Sequence, residues 1–106
     1  MKAITEELLV NSENKVLVEF AKRLGVSPMQ IIEQNRKSSI TDVRHLYCTL
    51  RRQCHGATYS DTALEISRSP ATVKYAVARI TDLLRMGDKK ITALWNKVKD
   101  IPGFYL

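Results

Sequence analysis

The stretch Glu65–Ile80, EISRSPATVKYAVARI, decides the fold. Ser69 and Pro70 stand together ahead of a run with helical apolar spacing. Serine is a strong N-cap because its hydroxyl accepts from a first-turn N–H, and proline at the first helical position loses no hydrogen bond. At about 100° per residue, Val73, Ala76, Val77, Ile80, Leu83 and Leu84 form one stripe. This predicts a helix from Pro70 to about Met86 that buries the stripe, with Gly87 at its end. Ala71, Lys74, Tyr75 and Ala78 fall on the opposite side near the N-terminus. None of the four demands burial, so that face is expected to be open. A helix N-terminus is also a favourable place for a phosphate.

Upstream, a short helix is expected over about Ser60–Ile66, followed by a turn at Ser67–Ser69. Ala63, Ile66, Ser67 and Val73 match the spacing of a helix-turn-helix over about residues 60–86. That spacing sets a small residue inside the first helix, an apolar one near its end, a tight turn, and an apolar residue in the second. The turn usually carries Gly, and Ser67 stands in for it here. In such a motif the second helix offers its N-terminal outer face to the major groove. A plain helical hairpin has the same apolar spacing. Arg68, Lys74 and the charge of the chain favour double-stranded DNA.

The rest of the chain is helical by the same test. Residues 3–10 suit a short first helix. Residues 13–24 suit a better one, with Leu17, Phe20, Ala21 and Leu24 on one face and Gly25 as its stop. Ser27, Pro28 and Gln30 form the signature of a capped short helix, which adds Met29, Ile31 and Ile32 to the apolar content. Residues 35–39, NRKSS, read as a basic loop. Ser39 is the expected cap of the next helix, with Asp42 at its third position and an end near Gln53. Val43, Leu46, Tyr47, Leu50 and Cys54 are expected on its inner side, and Arg44, Arg51 and Arg52 on its outer side. HGAT at 55–58 breaks the chain. A last helix is expected over 89–100 through Ile91, Leu94, Trp95 and Val98. Phe104, Tyr105 and Leu106 are apolar enough for the tail to fold back. The expectation is one all-α domain over residues 1–106, a compact bundle of about six helices.

The 106 residues carry 17 Lys and Arg against 11 Asp and Glu, a formal net charge of +6. A small basic domain favours anionic partners: nucleic acid first, an acidic protein or membrane surface next. The first ten residues hold Lys2, Glu6 and Glu7 and form no apolar core of signal-peptide length. No window reaches the ~18 apolar residues of a membrane span. A cytoplasmic setting with reduced thiols is expected.

Residues 16–86 resemble the C-terminal DNA-binding domain of the bacterial replication initiator DnaA, of the Trp-repressor-like helix-turn-helix group. FAKRLGVSPMQIIEQNRKSSITDVRHLYCTL, residues 20–50, looks like that domain's opening: a helix, a short helix running into a basic loop, then a long helix with an internal Arg. Asn35, Arg36, Lys37 and Arg44 occupy those places. SRSPATVKYAVARI, residues 67–80, is similar to the family signature Arg-Asp-His-Thr-Thr-Val, with Arg68, Thr72 and Val73 in register. Ser69, Pro70 and Ala71 replace the Asp, His and first Thr that read bases in the family, and the turn is about one residue shorter. The resemblance therefore implies the fold and the binding mode, not recognition of the initiator's own DNA box. It implies that Arg36 and Lys37 lie near the DNA backbone or minor groove. It places Arg68, Ser69, Ala71, Thr72, Lys74 and Tyr75 at or beside the recognition helix's contacts. It makes Arg44 a phosphate contact or a helix-surface salt-bridge partner. The initiator's ATPase module has no counterpart, since no Gly-rich phosphate loop ending in Gly-Lys-Ser/Thr exists.

Other chemistry fares worse. Cys48, Cys54, His45 and His55 match no common zinc spacing. Six residues apart on one helix, the two cysteines point about 120° apart and do not pair as a disulfide. Cys54 is expected in the core and Cys48 partly exposed. Asp61 and Glu65 are expected to solvate the motif's first helix. Neither an enzymatic activity nor a cofactor is expected. The rival to a DNA-binding protein in replication control, transcription regulation or a mobile element is an all-α interaction module whose basic face binds an acidic protein partner. A homo-oligomer or a further protein partner is compatible with both.

Overall fold

Asn14 opens the first described helix, α1 (Lys15–Leu24), its side chain accepting from Leu17 N at 3.1 Å. Gly25 closes it in the left-handed region at φ 73°, where glycine carries no Cβ penalty. The structure, a computed structural model, describes residues 14–34 and 36–103. The helix expected over 3–10 and the fold-back of Phe104, Tyr105 and Leu106 lie outside the described residues.

Helix α2 (Pro28–Ile32) has the full capping box expected of it. Ser27 Oγ accepts from Gln30 N, and Gln30 Oε1 accepts from Ser27 N at 2.9 Å. Helix α3 (Ser38–Thr49) starts a residue before the expected cap: Lys37 holds the N-cap position, with no side-chain cap bond. Asp42 does not serve the first turn but reaches Arg79 and Lys90 in later elements. A π-helical turn, Leu50–Cys54, continues α3. Thr58 caps α4 (Tyr59–Ile66), Ser69 caps α5 (Pro70–Arg85), and Asp88 caps α6 (Lys89–Val98). Six helices and no strand make up the described residues, an all-α bundle. The radius of gyration, 13.1 Å, equals the ~13 Å expected of a globular chain of this length.

Helix α3 is the centre of the bundle. Every residue from Asp42 to Leu50 is buried. Its widest contact is with α5, while α2 and α1 close other sides, α4 lies on α5, and α6 rests on α1 and α5. Phe20 meets Tyr47 edge-on, ring centroids 5.2 Å apart, and aromatic pairs of this kind add about 0.5–1.5 kcal/mol beyond their burial. The expected α5 stripe is core: Val73, Ala76, Val77 and Ile80 are buried, with Leu83 and Leu84 packed at its margin.

The all-round burial of α3, the π turn after it and the packing of α4 on both overturn the expectations for Cys48, Cys54, Arg51 and Glu65. Cys48 is fully buried and Cys54 is exposed, the reverse of what a straight helix predicts. The wider i→i+5 turn at Leu50–Cys54 takes the residues after it out of phase with α3. Burial raises the Cys48 thiol to about 12. Arg51, expected outside, turns inward and forks onto Glu65: Nε donates to Oε1 at 2.9 Å and Nη2 to Oε2 at 2.8 Å. Glu65, expected to solvate α4, also accepts from the Tyr47 hydroxyl. Asn14 Nδ2 in turn donates to that hydroxyl at 3.2 Å. Arg51 Nη1 further reaches His55 Nδ1 and Gly103 O, and His55 Nε2 donates to Ile101 O at 2.8 Å. The arginine proton on Nδ1 fixes His55 as the neutral Nε2–H tautomer. One polar cluster thus joins α3, the π turn, α4 and the segment after α6.

Candidate nucleic-acid interface

The face of α5 opposite its core stripe is open. Ala71, Lys74, Tyr75 and Ala78 are all exposed, Tyr75 to 65%. They recur at steps of three and four, so they form one strip about two turns long. At the head of the strip, Ser69 Oγ accepts from Thr72 N at 3.2 Å and lies 3.0 Å from Thr72 Oγ1. These two expected site hydroxyls thus share one hydrogen bond, which leaves one hydroxyl proton still able to donate. Ser67 ends α4 at φ 56° and ψ 47°, and among the described residues it is the only non-glycine with positive φ. This left-handed residue is what turns the chain from α4 into α5 within three positions.

Arg68 sits in that turn and ties it to the basic loop. Its Nη1 donates to Ile32 O at 2.7 Å and to Ile66 O at 3.0 Å, and its Nη2 donates to Glu33 O at 2.8 Å. Ile32 and Glu33 are the last residues of α2 and its cap. A helix end leaves its last carbonyls unpaired, and a guanidinium with five fixed donors is well matched to gather them. Arg44 works on the same end from inside. Its Nε donates to Ile31 O at 2.7 Å, and its Nη2 donates to Glu33 O at 3.3 Å. Arg44 is buried, which corrects the expected surface role as phosphate contact or salt-bridge partner. Burial, then the nearby charge of Arg68, lowers its pKa. Two arginines from opposite sides thus hold the end of α2, and the loop that leaves it carries Arg36 and Lys37, both exposed. Segment 33–37 sets these two cations against one acid, Glu33.

A second group borders the strip at its middle. Tyr75 stands edge-on to His45 of α3, centroids 5.9 Å apart and planes at 85°. Arg79 Nη1 donates to His45 Nδ1 at 3.1 Å, and its Nη2 donates to Asp42 Oδ1 at 2.8 Å. Lys90 Nζ completes the group on Asp42 Oδ2 at 3.1 Å. Burial, and then the Arg79 and Arg44 charges, press the His45 imidazole down to about 4. Burial raises the Asp42 carboxyl, but hydrogen bonds from Arg79 and Lys90 outweigh this and hold it below the usual carboxylate range. Lys90 keeps 61% of its side chain exposed while its ammonium rests on the Asp42 carboxylate. Sequence reasoning missed Arg79 and Lys90. Residues 42, 79 and 90 share no motif, and only the packing of α3, α5 and α6 brings them together.

Among the expected site residues, the structure gathers Arg68, Ser69, Ala71, Thr72, Lys74 and Tyr75 on the α4–α5 turn and the first turns of α5, leaves Arg36 and Lys37 exposed beyond the end of α2 that Arg68 holds, and buries Arg44. Among the described residues, neither Arg36 nor Lys74 has an ion-pair partner. No group of three or more His, Cys, Asp or Glu there is placed to hold a metal, and no helix is long and apolar enough to cross a membrane. Comparison with protein-family models, with curated proteins and with solved structures gave no match.

Proposed function

We propose that this protein binds double-stranded DNA sequence-specifically, with α4 and α5 as a helix-turn-helix and the 33–37 loop as a flanking contact, in replication control or transcription regulation and without ATPase activity. The observation that carries this is the Arg68 tether. Arg68 fastens the end of α2 to the α4–α5 turn, and on this reading the Arg36–Lys37 loop that follows lies beside the first turn of α5. A loop of cations next to an open helix face suits a duplex, where the loop meets phosphates or the minor groove and the helix meets base edges. On this reading Lys74 and Tyr75 face bases, while Arg36, Lys37 and Lys90 meet the backbone. Arg44 and Arg68 contribute by shaping the loop.

Selection from a random duplex pool with the full chain tests the proposal. Enrichment of one short site, bound at least tenfold more tightly than random duplex, is expected. Recovery of no preferred sequence, with an acidic protein bound in its place, would favour the interaction module instead.

A further inference from the structure

Given a groove-facing α5, the functional groups on its strip restrict what it reads. Bidentate recognition of adenine takes an amide, and recognition of cytosine takes a carboxylate as acceptor. The strip Ala71, Lys74, Tyr75, Ala78 contains neither. The next carboxylate along it, Asp82, lies seven residues beyond Tyr75 and is ion-paired with Arg85 at 3.6 Å. The Ser69 and Thr72 hydroxyls at the helix start share one bond and are left with one proton for a single, non-bidentate contact. Besides that donor, the strip offers one ammonium, one phenol whose ring is buttressed by His45, and two exposed methyl groups one turn to either side of them. An ammonium suits the guanine O6 and N7 acceptors. Apolar groups at the groove floor suit the one apolar feature of the major groove, the thymine C5-methyl.

We infer that α5 reads thymine methyl groups through Ala71 and Ala78, with the Tyr75 ring packed between them. The inference rests on the DNA-binding proposal and names the base chemistry of the same face. Burying one methyl is worth about fourfold in affinity, so two thymines account for about fifteenfold of site preference.

The test alters the DNA and leaves the protein intact. In the selected site, each thymine is replaced by deoxyuridine, which lacks only the methyl, and then by 5-bromodeoxyuridine, whose bromine has nearly the same bulk. Affinity of the full chain is measured for every version and for random duplex. Expected is a loss of about fourfold at each of two thymines under α5, with recovery to within twofold on bromination. In Ala71→Gly, at the second helical position where glycine costs little, the uracil penalty should vanish at one thymine and persist at the other. Retention of full affinity with uracil at every position overturns the inference while site preference still upholds the DNA-binding proposal. A uracil penalty unchanged by Ala71→Gly at all positions overturns the assignment to α5. Absence of any site preference overturns both.

Discussion

Replacing Arg68 by lysine separates a tether from a charge. The guanidinium spans carbonyls on two elements, with Ile32 O and Glu33 O on one and Ile66 O on the other, at 2.7–3.0 Å. Lysine keeps the charge but is a single point donor and cannot fork across both. Hydrogen bonds from a charged donor contribute about 1.5–3 kcal/mol where water is excluded. Arg68 is half-buried, and water can reach part of what it leaves, so a loss of about 1–2 kcal/mol is expected for Arg68→Lys. For a domain of this size that is a fall in Tm of about 5–10 °C, read by circular dichroism at 222 nm. If DNA met Arg68 chiefly as a cation, lysine would bind nearly as well. If Arg68 acts by placing the loop, lysine loses site affinity together with stability, and the contribution of Arg36 and Lys37 shrinks with it. The second outcome is expected. A Tm within ~1 °C of the parent, with site affinity intact, would refute the tether and remove the support for a loop held beside α5.

Acid should destabilise the fold above the carboxylate range. His45 is pressed down to about 4, so the unfolded chain takes up this proton first. Stability is therefore full above about pH 6.5 and falls towards pH 4, by up to about 3 kcal/mol from this residue. His55, lowered by burial and by Arg51 against the raising effect of its Ile101 bond, adds in the same direction. Denaturant titrations between pH 7.5 and 4 should show the fall, and His45→Gln should flatten it. Cys54 should react quickly with a thiol reagent in the folded protein, and Cys48 only on unfolding; two fast thiols would contradict the buried α3. Lys74→Ala should cost roughly 1–3 kcal/mol on the selected site and much less on random duplex, with an unchanged circular dichroism spectrum because the side chain is exposed.

Features written in local chemistry were legible in the sequence. Ser27, Pro28 and Gln30 make a capping box through neighbours only, and Ser69, Pro70 and the 73–84 stripe specify α5 without help from the rest of the chain. The open face with Lys74 and Tyr75 followed from that stripe. Asp42 was not legible, because its partners lie 37 and 48 residues away. Arg44 was misplaced because a helix with arginines at intervals reads as two-faced. The carbonyl end of α2, docked on α3, helps make a buried guanidinium tolerable, since an unpaired buried charge costs far more than a paired one. Cys48 was misplaced because α3 is buried all round, and Cys54 because no local signal marks the π turn that shifts the phase after Leu50. Glu65 was read as a surface acid for a similar reason: its partners, Tyr47 and Arg51, sit a full helix earlier.

The salt dependence of duplex binding tests the central claim most directly. On the proposed reading, contacts from Arg36, Lys37, Lys90 and the first turn of α5 would amount to about three to five phosphates. The logarithm of the association constant should then fall against the logarithm of salt concentration with a slope of about −3 to −4.5, and the Arg36→Ala/Lys37→Ala double variant should be shallower by about two contacts. A slope near zero, or no measurable binding to duplex DNA at low salt, would contradict the account.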